Sequence, residues 1–167
     1  MSDNVHQVVA NRVWFRLLRL QARLNVCIAE RLREIGVSVP QCDVLTTLTE
    51  REGLTQQELA ERLYVTKGNI SGLIDRLEFA GLVERRATIG DRRSHAIYLT
   101  EAGRRIALEG IDIQQNFVAA SFGRLPPEHI AAFEKMLVDV RDIVRELRAS
   151  PAPRFRTTLT QNIKSEV

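Results

Sequence analysis

The sequence is short of most things that an enzyme, a metalloprotein or a membrane protein needs. Its 167 residues hold two cysteines, Cys27 and Cys42, and three histidines, His6, His95 and His129. Two distant cysteines make neither a disulfide framework nor a C-x-x-C pair, and the histidines are scattered without ligand spacing, so no metal is expected. None of G-x-x-x-x-G-K-[ST], G-x-G-x-x-G, G-x-S-x-G or H-E-x-x-H occurs, which leaves no catalytic residues and no cofactor to name. No apolar run approaches the roughly 20 residues needed to span a bilayer, and Met1-Ser2-Asp3-Asn4 does not begin a signal peptide. The expectation is a cytoplasmic protein without a membrane partner. A large excess of one charge is also missing: the net charge is +3, too small to force a general polyanion-binding role. With 44% hydrophobic and 27% charged residues, the chain can bury one ordinary core.

The informative stretch runs from Thr55 to Thr100. Thr55 and Glu58 have the spacing of a capping box, with Leu54 and Leu59 at the staple positions, and so predict a helix start. That helix is short, because Leu59, Ala60 and Leu63 supply an apolar face only as far as Tyr64-Val65. A second start follows at once, with Thr66 as cap and Val65 and Ile70 as staple, after a turn of about three residues. Ile70, Leu73, Ile74 and Leu77 recur at spacings of 3 and 4 and face the core. Gly68, Gly72 and Asp75 then lie roughly opposite, flanked by Asn69, Ser71 and Arg76. Short polar side chains on the outward face suit a helix that must approach the DNA major groove closely.

Gly81 ends this helix, and Leu82–Arg86 pairs by alternation with Ala96–Thr100 around Ile89–Arg93. The hairpin carries Arg85, Arg86, Arg92 and Arg93. It must dock through Leu82, Ile97 and Leu99, since an isolated hairpin is marginal in water, and is expected to present its arginines outward to phosphates and a narrow minor groove.

The flanks are helical. From about Val8 to Ile35, Val13, Leu17, Leu20, Leu24, Ile28, Leu32 and Ile35 form one stripe roughly 40 Å long, more than one small domain can cover. Gly36 stops it, and Ser38-Val39-Pro40-Gln41 opens a helix carrying Val44, Leu45 and Leu48. After the wing, Thr100 caps a helix reaching about Ser121. Leu125-Pro126-Pro127-Glu128 restarts the chain, and Ile130, Phe133, Leu137, Val140, Val144 and Leu147 form a helix-seam repeat. Two stripes in want of a partner predict a homodimer. The layout is thus mainly α with a small β-hairpin wing: residues 1–36 and 101–148 as a helical dimerisation lobe, 37–100 as a winged helix-turn-helix, and 149–167 as a tail beyond Ser150-Pro151-Ala152-Pro153.

Motif by motif, Leu63-x-x-Thr66-x-x-Asn69-Ile70-Ser71-x-Leu73-Ile74-Asp75-Arg76-Leu77-Glu78, Gly81-Leu82-Val83-x-Arg85, Asp91-Arg92-Arg93-Ser94 and Leu99-Thr100-x-x-Gly103-Arg104 resemble the MarR (multiple-antibiotic-resistance regulator) family. The resemblance implies a dimeric repressor that binds double-stranded, pseudo-palindromic operator DNA and is released by a small aromatic or phenolic ligand. Thr66, Lys67, Asn69, Ser71 and Arg76 would contact the major groove and phosphates, Arg92 the minor groove, and Asp91 would pair with Arg93 to hold the wing. Trp14, Arg16 and Arg19 on the first helix and Asp43 on the second could line an effector crevice. Trp14 with Asp43 resembles the urate-responsive members, although Leu73 stands where those carry an arginine.

Rival readings are a redox-sensing regulator, a winged-helix adaptor that binds no DNA, and an enzyme, which the missing motifs disfavour. For a redox sensor Cys42 is the better thiol, because it lies in a helix's first turn, while Cys27 sits mid-helix beside the apolar stripe. The family's peroxide sensors resemble one another in a cysteine near the start of the first helix, and Val5 to Arg16 has none.

Overall fold

The computed structural model describes residues 2–88 and 91–149, leaving aside the side chains of residues 2–4, 88, 91–94 and 148. Apart from Ala149, the expected tail lies outside the described residues. The chain divides into two units, Met1–Ala120 and Ser121–Val167. The first contains α1 (Ser2–Glu34), α2 (Val39–Glu50), β1 (Leu54–Thr55), α3 (Gln56–Arg62), α4 (Lys67–Phe79), β2 (Val83–Thr88), β3 (Asp91–Leu99) and α5 (Glu101–Ala120). The second contains a 3-10 turn at Phe122–Arg124 and α6 (Pro127–Ala149).

The core of the first unit is built from α2, α3, α4 and the sheet, where Leu45, Leu48, Leu59, Ile70, Ile74 and Ile97 are each fully buried. Only the last turns of α1 join it, with Leu32 buried and Ile28 and Ile35 packed against the cluster. Upstream, Val13, Trp14, Phe15, Leu17, Leu18 and Leu20 are exposed. The stripe predicted along α1 is therefore closed at one end and open at the other, and the helix starts at Ser2 rather than Val8.

The wing is a three-stranded antiparallel sheet in the order β1-β3-β2. Val83 pairs with Leu99 and Arg86 with Ala96, the register that alternation predicts. The third strand is an addition to the expected hairpin: Leu54 pairs with Ile97 and Thr55 with Ala96. Leu54, read from the sequence as a helix staple, is buried as a strand residue. Glu52 ties the base of the wing down, its carboxylate accepting from the Leu99 amide at 3.1 Å and from Arg104 at 2.8 Å.

Helix α5 crosses this assembly on two glycines. A β-carbon at Gly103 would lie 1.8 Å from the Leu82 carbonyl oxygen, and one at Gly110 would lie 2.6 Å from Cys42 Sγ. The second approach bears on the cysteines. Cys42, the better of the two candidates for a sensing thiol, is buried, whereas Cys27, expected to be protected beside the apolar stripe, is exposed. Burial, with a smaller contribution from the neighbouring Asp43 carboxylate, pushes the Cys42 thiol up to about 11, so the thiolate a sensor needs is suppressed. The first-turn position does not compensate for being covered by α5.

In the second unit the rings of Phe122 and Phe133 stack with centroids 6.2 Å apart. Along α6, Leu137, Val140, Ile143, Val144 and Leu147 stay exposed. Among the described residues no helix is long and apolar enough to cross a membrane.

Candidate nucleic-acid interface

Local hydrogen bonds fix both helices of the central motif. The Thr55 amide donates to Glu58 Oε2 at 2.7 Å, and the Glu58 amide donates to Thr55 Oγ1 at 3.2 Å. This is the expected capping box, and the bonds from Thr55 hold the Glu58 carboxyl below the ordinary carboxylate range. At α4, Thr66 Oγ1 accepts from the Asn69 amide at 3.3 Å. Four apolar side chains of α4, Ile70, Leu73, Ile74 and Leu77, are buried, so the opposite face is turned outward as their spacing requires.

On that face Thr66, Lys67, Asn69 and Arg76 are exposed, while Ser71 is half-buried. At 100° per residue Ser71 falls on the flank of the helix, away from Asn69 and Arg76. Thr66 has spent an oxygen lone pair on its cap, and what it can still offer outward is its O–H. Between the start of α2 and this face runs a groove of about 340 Å³, lined by Pro40, Val65, Gly68, Asn69, Gly72 and Arg76. The Arg76 guanidinium lies 3.6 Å from where a β-carbon on Gly72 would sit. That is an ordinary van der Waals distance, so the arginine lies along the helix over Gly72.

The wing's arginines are not all presented outward, which corrects the sequence reading. Arg85 turns back onto α4, pairing with Asp75 at 2.5 Å and with Glu78. The Gln56 amide at the start of α3, oriented with its oxygen toward the guanidinium, accepts from Arg85 Nη2 at 3.0 Å and Nε at 3.3 Å. One side chain thus joins β2, α3 and α4, and it neutralises two carboxylates that would otherwise repel phosphates from α4. Strand parity carries the signal for this: Arg85 is two residues from buried Val83 and so shares its inward face. Arg86 points the other way, its guanidinium 4.2 Å from the Tyr98 ring centre and paired with Glu84. Asp91, Arg92 and Arg93 lie on β3, but their side chains, and with them the expected Asp91–Arg93 pair, fall outside the described residues.

The four candidate effector residues are not brought together within one chain. Trp14, Arg16 and Arg19 are exposed on α1, 13 to 18 residues before Leu32, or roughly 20–27 Å along the helix. Asp43 is half-buried on α2, and burial raises its pKa. No hydrogen bond or ion pair among the described residues links it to the other three. A groove of about 670 Å³ lies elsewhere, between the end of α1 and the start of α2 around Val26, Arg33 and Val39.

Residues 35–94, which span the motif and most of the wing, match the MarR family. An uncharacterised HTH-type transcriptional regulator of Bacillus cereus is 33% identical over 122 residues, covering 73% of this chain and 79% of that protein. The organic hydroperoxide resistance transcriptional regulator of Bacillus subtilis is 28% identical, over 70% of this chain and 79% of its own. Among solved structures, an E. coli MarR variant complexed with operator DNA superposes with a TM-score of 0.69 at 25% identity, over 75% of this chain and 91% of that one. With its capped and outward-facing α4, its three-stranded wing and these relatives, the chain belongs to the MarR family of DNA-binding transcriptional regulators, which are not enzymes.

Proposed function

We propose that the protein is a cytoplasmic, homodimeric repressor that leaves its operator when a small aromatic or phenolic molecule binds. The observation that carries the reading is the pairing of a capped α4, polar and small on its outward face, with a wing tied to it through Arg85. Asn69 and Arg76 reach base edges from one flank of α4 and the Ser71 hydroxyl from the other, while Lys67 and the Thr66 O–H meet phosphates. Arg92 enters the minor groove, with Asp91 and Arg93 bracing the wing. The exposed apolar residues of α1 and, separately, of α6 support dimerisation through the two ends of the chain. The dimer places one α4 in each half-site, about 10 base pairs apart, on a pseudo-palindrome.

The ligand acts by population shift: it prefers a spacing of the two α4 helices that DNA does not accept. Trp14, Arg16, Arg19 and Asp43 offer an aromatic face, cations and an acid for such a molecule, in a crevice completed by the second chain. The redox alternative through Cys42 is disfavoured, because that buried thiol lacks an accessible thiolate; mild peroxide should leave DNA binding intact. The reading is tested by footprinting the upstream region of the protein's own gene, where two symmetric half-sites are expected and a single asymmetric one would refute the dimer model. Aromatic acids and purines are then screened for release of that DNA, with Trp14 fluorescence as reporter.

A further inference from the structure

Three helices of the first unit end in the same hydrogen-bonded motif. At the end of α1 the Gly36 amide donates to Arg33 O and the Val37 amide to Leu32 O, both at 3.1 Å; at the end of α4 the Gly81 amide donates to Glu78 O and the Leu82 amide to Leu77 O, both at 2.9 Å. Helix α3 repeats the pattern, with the Tyr64 amide donating to Glu61 O at 3.4 Å and the Val65 amide to Ala60 O at 3.0 Å. The central residue of this motif must take a left-handed backbone. Its φ is +81° at Gly36, +69° at Gly81 and +54° at Tyr64. Glycine does this without steric cost, whereas a bulky side chain is strained there.

Tyr64 is the one non-glycine residue with positive φ among the described residues. The motif's two backbone hydrogen bonds hold Tyr64 in that conformation, but among the described residues nothing engages its ring. The Tyr64 side chain is 86% exposed, and no hydrogen bond among the described residues engages its hydroxyl. The residue stands in the turn between α3 and α4, two positions before the Thr66 cap, with exposed Arg62 and Lys67 on either side and no acid between them. In a helix-turn-helix this turn runs beside the sugar-phosphate backbone bordering the groove that the second helix enters. A phenol suits that surface, its O–H donating to a phosphate oxygen and its ring face resting on deoxyribose.

We infer that Tyr64 is a DNA-backbone ligand whose hydroxyl donates to a phosphate flanking the groove occupied by α4. The inference rests on the reading of α4 as the helix that enters DNA. Because the donor is neutral and the acceptor carries no sequence information, the contact adds affinity on every duplex and releases no extra counterion.

The test uses the full-length protein, a duplex selected from random sequence by the wild type, and an unrelated duplex, with affinity followed by fluorescence anisotropy over a salt series. Tyr64→Phe should weaken binding about tenfold per half-site, hence about a hundredfold for the dimer, on both duplexes with an unchanged salt slope, as expected for one lost hydrogen bond to a charged group in each protomer. Tyr64→Gly should bind at least as weakly as Tyr64→Phe while its Tm rises by about 2 °C, since the strain is removed. A Tyr64→Phe protein that binds as tightly as wild type overturns the inference, and so does a Tyr64→Gly protein that melts lower, because the ring would then be packing at home. If the wild type selects no duplex at all, the reading of α4 itself falls and takes this inference with it.

Discussion

Helices α4 and α6 carry apolar residues at the same spacings of 3 and 4, yet the fold treats them differently. On α4 the four residues of the stripe are sealed against α2, α3 and the sheet. On α6, and on the first twenty residues of α1, residues of the same chemistry remain about half exposed. Periodicity states which face of a helix will be covered, but not whether the cover comes from the same chain. The helix-turn-helix finishes its own core, whereas the two ends of the chain carry surface of a kind that a second copy can bury.

The largest effect should come from breaking the open side of this comparison. Leu137→Asp combined with Val144→Asp places four carboxylates in a symmetric dimer seam, and self-association should weaken by at least about 5 kcal/mol, more than a thousandfold in Kd. Sedimentation would show monomers whose melting, measured at high dilution, is close to that of dilute wild type. The closed side responds in the opposite manner. Ile74→Ala empties a fully buried site and should cost about 2–5 kcal/mol, and the fall in Tm should not depend on protein concentration. A concentration-dependent loss at Ile74, or a concentration-independent one at Leu137, would erase the distinction between the two regions.

A smaller change falls between them. Arg85→Ala unties β2 from α4, and should lower DNA affinity by about 1–2 kcal/mol while the fold loses no more than about 1 kcal/mol, since the ion pairs are partly solvated. If the guanidinium acts by holding the wing in register, then Arg92→Ala should matter less in the Arg85→Ala background than alone. Strict additivity would make Arg85 an ordinary surface pair.

The smallest effect concerns the two thiols, again one in the closed region and one on α1. With its pKa raised to about 11, Cys42 stays protonated at neutral pH. Iodoacetamide followed by mass spectrometry should label exposed Cys27 in minutes and Cys42 only after unfolding. The sign also predicts an alkaline signature: the folded state holds this proton more tightly than the unfolded chain, so stability falls as pH rises from the ordinary thiol value toward 11.

What the sequence disclosed was whatever the chain decides locally. Thr55 with Glu58, Thr66 with Asn69 and the stop at Gly81 are settled within three or four residues, so their caps could be read directly. The pairing of Leu54 with Ile97 spans 43 positions and a two-residue strand has no periodicity to detect, so β1 stayed hidden behind a staple pattern that fitted equally well. Arg85 was assigned to the outward set because its charge drew more notice than its parity with Val83. The cover over Cys42, α5 at Gly110, comes from 68 positions downstream, and a helix start looks the same in a sequence whether or not another helix lies across it, so a first-turn position does not disclose whether the thiol is accessible.

The two glycine seats of α5 have a mechanical consequence. Gly103 rests on the backbone at Leu82, where the wing begins, and Gly110 rests on Cys42 in α2. Seven residues apart, they lie on one face of the helix about 10 Å from each other. A rod clamped at one point can hinge there, but a rod clamped at two transmits torque without bending between its clamps. Helix α5 therefore joins α2 and the base of the wing within about two turns, and shifting either one along it without the other would mean opening one of the two seats.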